Sequence, residues 1–105
     1  MQKYLVEITA TAEYDIREIF EYIAKDNKSA ASGLIEEIER QLHSLESFPL
    51  RCPVIPEAQE LGSGDNYRHI IYGNYRTVFK IVDSRIFIMR VINGARLLDL
   101  RLFEK

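Results

Sequence analysis

Cysteine, tryptophan and long apolar runs are what this 105-residue chain has least of. Its one cysteine, Cys52, has no partner for an internal disulfide. Its setting, Arg51-Cys52-Pro53, offers neither a CxxC pair nor Cys/His metal-ligand spacing. No apolar stretch approaches the ~20 residues that a membrane-spanning helix needs. The start, Met1-Gln2-Lys3-Tyr4-Leu5-Val6-Glu7, is too short and too interrupted by charge for a secretory signal. Also missing are a GxSxG elbow, a Walker A loop, a Rossmann glycine fingerprint and an HExxH zinc motif. Gly62-Ser63-Gly64 lacks the lysine and the following helix that phosphate cradling requires. These absences lead to the expectation of a cytoplasmic protein without cofactor or metal.

Hydrophobic residues make up 47% of the chain and charged residues 29%, enough for a core and against disorder. The length suits one domain over residues 1–105. The net charge of −2 conceals an asymmetry. Residues 1–65 carry six Lys/Arg against thirteen Asp/Glu, and residues 66–105 carry eight against three. The C-terminal part therefore offers a basic surface to an acidic partner, or forms the solvated basic edge of a sheet beside acidic helices.

Tyr4, Val6 and Ile8 alternate with Leu5 and Glu7, the period of a strand with one buried face. Thr9 or Thr11 can cap a helix, and Glu13, Asp15 and Glu18 suit its positive end. Ile16, Ile19, Phe20 and Ile23 then form one helical stripe, and Leu34, Ile35, Ile38, Leu42 and Leu45 a second. Lys25 to Ser29 separates the two, and Phe48-Pro49 ends the second, so the pair reads as an αα-hairpin. Ile19, Ile23, Ile38 and Leu42 are expected in the core. Residues 49–66 hold all three prolines and read as an ordered loop. Strands follow at Tyr67–Tyr72, Tyr75–Val82 and Arg85–Ile92, joined by Gly73-Asn74 and Asp83-Ser84 turns. Ala95–Phe103 reads as a short helix or an extended arm. The expected fold is α+β, an N-terminal strand and an αα-hairpin packed on one face of a small antiparallel sheet.

Pairing the last hairpin across Asp83-Ser84 sorts the faces. Tyr75, Thr77, Phe79 and Ile81 fall with Ile86, Ile88, Arg90 and Ile92 and should receive the helices. Arg76, Val78, Lys80 and Val82 fall with Arg85, Phe87, Met89 and Val91. That second face mixes cations with large apolar groups and reads as a surface kept for a partner, or as one covered by the C-terminal tail. Only two histidines can serve as acid or base. His43 shares an exposed helical face with Glu36 and Glu39. A two-residue turn at Gly73-Asn74 puts His69 opposite Val78 and beside Arg76. The same register sends Arg68 to the helix side, an uncomfortable place that suggests a bulge. Arg76, Arg68, Lys80 and Arg96, with Tyr67 and Tyr75, could bind phosphates and bases, cut RNA without metal, or bind acidic protein.

Tyr14-Asp15-Ile16, Tyr22-Ile23-Ala24, Phe48-Pro49, Tyr67-Arg68-His69-Ile70, Gly73-Asn74-Tyr75-Arg76-Thr77-Val78-Phe79 and Met89 to Arg96 come in an ordered series. In order and spacing this series resembles the ParE/RelE toxins of bacterial type II toxin–antitoxin systems, more on the ParE side. The resemblance implies a growth-inhibiting toxin bound by a cognate antitoxin in a hetero-oligomer. RelE-like members cut ribosome-bound mRNA with a basic set and a C-terminal tyrosine; ParE-like members inhibit DNA gyrase. Arg76 and Arg96 match two arginines of the RelE-like set. No tyrosine follows Tyr75, and Asn93 stands where related sequences often have histidine. The expectation is therefore a gyrase-binding toxin, with a RelE-like mRNA endonuclease and a non-toxic protein-binding module of the same fold as alternatives. Arg76, Arg96 and His69 are the catalytic candidates. Arg68, Arg76, Val78, Lys80, Arg85, Phe87, Met89 and Arg96 are the candidates for contact with antitoxin or target.

Overall fold

Thr9 sets where the first helix begins. In the computed structural model, which describes residues 3–61 and 66–96, its hydroxyl accepts from Ala12 N at 3.2 Å and donates to Ile88 O at 2.7 Å. One side chain thus caps helix α1 (Ala10–Ala24) and ties it to the last strand. Asn27 caps α2 (Lys28–Ser44) in the same way, accepting from Ala30 N at 3.0 Å. The expected hairpin of helices is present. A 3₁₀ turn follows at Pro49–Arg51.

Among the described residues four strands form the sheet: β1 (Leu5–Ile8), β2 (Tyr67–Tyr72), β3 (Tyr75–Val82) and β4 (Arg85–Asn93), in the order β1-β4-β3-β2. The three C-terminal strands are antiparallel, as expected. The N-terminal strand joins β4 in parallel, Leu5 opposite Arg85 and Ile8 opposite Ile88, so the whole sheet is mixed. Gly73 has φ +58°, and Asp83 adopts φ +55° at the other hairpin, a conformation aspartate tolerates better than most residues. Among the described residues no helix is long and apolar enough to cross a membrane.

The helices cover one face of the sheet, where Ala12, Ile38, Leu42 and Leu45 meet Phe79, Ile86 and Ile88. Ile38 and Leu42 are buried as expected. Ile19 packs there at partial burial, and Ile23 is also only partly buried. A bulge falsifies part of the expected face assignment. Val78 opposes Arg90 and Phe79 opposes Ile88, leaving Met89 as the extra residue. Val91 therefore turns to the helix side and Ile92 to the outer side, the reverse of a strict alternation. Asp15 holds this irregularity. Its carboxylate accepts from Arg90 Nε at 2.7 Å, Arg90 Nη2 at 3.0 Å and the backbone N–H of Val91 at 3.0 Å.

The bulge expected near Arg68 is absent, since β2 and β3 pair without a break. Arg68 does lie on the helix side. Its guanidinium reaches the rim and donates to Cys52 O at 2.6 Å, so the charge meets carbonyls and not the core. The outer face carries the other correction. The proline-rich stretch contains a short helix, α3 (Pro56–Leu61), and Ile55 and Ala58 at its start are fully buried against Tyr67, Val78 and Ile92. One half of the face expected to be open is thus covered from within residues 54–58. The Gly62 to Asp65 turn, and the tail from residue 97 onward, lie outside the described residues.

Candidate functional site

Under α3, the outer face of β2 and β3 places Tyr67, His69, Arg76 and Val78 side by side. The register puts His69 opposite Val78, as expected from the two-residue turn. Arg76 is only 4% exposed, and burial of a guanidinium demands partners. Glu57 supplies the charge, meeting both terminal nitrogens of Arg76. Arg76 Nη1 lies 3.2 Å from His69 Nδ1, and Nη2 donates to Arg96 O at 2.7 Å. Arginine can only donate, so Nδ1 of His69 is the acceptor and the ring proton sits on Nε2. Burial pushes the His69 pKa below its ordinary 6.5; the Arg76 charge adds to this and Glu57 partly opposes it. His69 is therefore a neutral imidazole at physiological pH.

The terminal N–H groups of Arg76 are all taken by Glu57, His69 and the Arg96 carbonyl. A cavity of about 130 Å³ opens beside them, lined by Pro56, Glu57, His69, Ile71, Arg76, Gly94 and Arg96. A larger groove of about 320 Å³ runs along the other side of His69, past Cys52, Pro53 and Ile71. Burial raises the Cys52 thiol pKa, with Arg51 and Arg68 partly opposing, which disfavours the thiolate form. No cluster of His, Cys, Asp or Glu fit to hold a metal occurs among the described residues.

The remaining sequence candidates separate. Val78 is fully buried beneath α3, so it is not on the open surface where it was expected. Arg76 is likewise enclosed. Lys80, Arg85 and Phe87 keep some exposure on the half of the face that α3 leaves uncovered. Met89, the extra residue of the bulge, instead packs against the Ile55, Ala58, Tyr67, Val78 and Ile92 cluster and is not on the open surface expected for it. Lys80 Nζ sits 5.2 Å above the Tyr67 ring, and the Arg85 guanidinium 5.1 Å from the Phe87 ring while pairing with Glu7. Leu5 and Val82 are exposed at the rim of this half. Arg96 is exposed and borders the small cavity. His43 is exposed on α2 and lies 3.5 Å from Glu46, away from the cleft. Glu57 is the residue that sequence reasoning missed. Its signal was present in Ile55-Pro56-Glu57-Ala58, a proline at a helix start followed by an acid in the first turn.

The family model for the ParE toxin of the type II toxin–antitoxin system parDE matches residues 6–98. The chain belongs to the ParE toxin family. Among solved structures, the ParE-family chain is similar to one of the chromosomal ParDE toxin–antitoxin system from P. aeruginosa. The TM-score is 0.66 at 16% identity, covering 87% of this chain and 96% of the other. It is also similar to a chain of the toxin–antitoxin complex RelBE2 from Mycobacterium tuberculosis. There the TM-score is 0.55 at 23% identity, covering 87% and 98%. These likenesses establish the shared fold. A search of curated proteins finds no match.

Proposed function

We propose that this ParE-family toxin inhibits DNA gyrase by binding it, without covalent chemistry of its own, and that a cognate antitoxin neutralises it in the cytoplasm. The observation that carries the reading is that the terminal N–H groups of Arg76 are all engaged within the chain. A ribonuclease needs a cation free to meet the scissile phosphate and an acid and base placed about it, each positioned group contributing ~10²–10⁴-fold. Here the best-placed cation is bound inside the chain by Glu57, and its neighbour His69 is spent as an acceptor toward that same arginine. The surface proposed for binding is the uncovered half of the outer face, where Lys80, Arg85 and Phe87 combine charge with apolar area. An acidic amphipathic segment of the antitoxin is the complement to that surface.

One observation favours the ribonuclease reading: His69, Arg76 and Arg96 do line a common cavity. The two readings part in a direct experiment. Purified toxin is expected to inhibit gyrase supercoiling, and its induction without antitoxin to cause filamentation with ribosome-bound mRNA intact. Codon-positioned mRNA cuts in a translating extract, lost in Arg76→Ala, would overturn the gyrase reading.

A further inference from the structure

We propose that Arg76, His69 and Arg96 form a latent oxyanion site whose resident occupant is the chain's own Glu57. Four features of the cleft carry this. The Glu57 carboxylate meets Arg76 through both oxygens, the same forked geometry by which a guanidinium takes two oxygens of a phosphate. Two donors beside it are unused: Arg76 Nε, buried without a hydrogen-bond partner, and His69 Nε2–H, which has none among the described residues. A further cation, Arg96, borders the adjoining cavity, whose volume of about 130 Å³ admits a tetrahedral oxyanion. Finally, Glu57 rides on a helix of six residues, too short to be stable by itself and dependent on its docking through Ile55 and Ala58.

The site is built with more donors than its internal ligand uses. A carboxylate offers two oxygens, whereas a phosphate monoester offers three and can reach Arg76, Arg96 and the unused donors together. Exchange of one anion for the other keeps the buried guanidinium compensated throughout. The structural cost is the undocking of α3, which gives up the buried contacts of Ala58 with Tyr67, Val78 and Ile92 while the Val54 bridge to Arg68 and the Ile55 N–H bond to Tyr67 O hold the chain before it. The proposal stands apart from the choice of target, because masking of the site holds for a gyrase binder and for a disabled nuclease alike.

The test is thermal melting of the full chain with inorganic phosphate, using wild type, Glu57→Gln, Glu57→Ala and the double variant Glu57→Ala with Arg76→Gln. Phosphate at ten times its Kd is expected to raise the melting temperature of either single variant by roughly 5 °C. Wild type and the double variant should not move, and chloride at matched ionic strength should have no effect. If Glu57→Ala is too unstable to purify, Glu57→Gln carries the test through phosphate-dependent shifts of its Arg76 Nε–H resonance. Acetate and a 5′-phosphorylated oligonucleotide run in parallel. Rescue by phosphate and oligonucleotide but not acetate assigns the site to phosphate esters. Rescue by acetate alone would overturn that ligand class. The masking idea fails if neither single variant responds, if wild type responds equally, or if the double variant keeps the response.

Discussion

Arg90 and Arg76 lie on adjacent strands, and each meets a carboxylate from a helix, Asp15 in one case and Glu57 in the other. The pairs look alike in geometry and differ in what surrounds them. Asp15 sits on a helix of fifteen residues that is capped by Thr9 and pressed onto β4, and it also takes the backbone N–H of Val91. Glu57 sits on a helix of six residues that covers a cleft with a cavity still open beside it. The first pair fixes the strand irregularity that determines which side chains enter the core. The second closes a lid over polar groups. Equal charge pairing therefore serves architecture on one face and occlusion on the other.

Substitution can break this contrast. Asp15→Ala leaves Arg90 and the Val91 N–H without their partner and is expected to cost about 3–5 kcal/mol in urea unfolding. In a domain stabilised by only ~5–15 kcal/mol, that is a large share. Glu57→Ala should cost less, about 1–3 kcal/mol, because α3 can yield and admit water to Arg76. Equal losses for the two would show that α3 is as much a part of the core as α1. A smaller effect belongs to pH. Since the His69 pKa is depressed in the fold, its contribution is present above pH 6.5. It is lost as pH falls below that value, where the unfolded chain takes up the proton first. His69→Gln should flatten this acid-side decline in the urea midpoint, and an unchanged slope would remove His69 as its source. Smallest of all, Lys80→Glu and Arg85→Glu should change stability by no more than about 0.5 kcal/mol. They should still weaken the antitoxin complex in a salt-dependent titration. Unaltered affinity in both would exclude the uncovered half of the sheet as the antitoxin surface.

The strands were legible because Gly73-Asn74 and Asp83-Ser84 are turn residues at turn spacing, and the helices because their stripes repeat at helical intervals. The bulge at Met89 was not legible. A period of two assumes uninterrupted pairing, and the cause of the interruption, Asp15, lies 76 positions from Val91 in the chain. As a result Val91 and Ile92 were assigned to each other's faces. Arg76 and His69 were correctly brought together from the turn register alone. What they do there was hidden, because Glu57 lies in a stretch whose three prolines masked a short helix. Charge counting found a basic C-terminal part, yet it could not show that Arg76 is neutralised within the fold while Lys80 and Arg85 stay near the surface.

The parallel pairing of β1 with β4 has a consequence in time. Leu5 finds its neighbour at Arg85, so the first strand synthesised waits for the last one before it can dock. Closing that long separation is a late event for the chain, since distant strand pairs are slow to form. Meanwhile Thr9 has no Ile88 carbonyl to bind, and Asp15 has no Arg90. Released chains truncated before Arg85 should remain sensitive to protease over their first fifty residues, and chains extended through Asn93 should be protected. The fold therefore closes only once β4 has been made, and every shorter chain lacks the strand on which β1, Thr9 and Asp15 all depend.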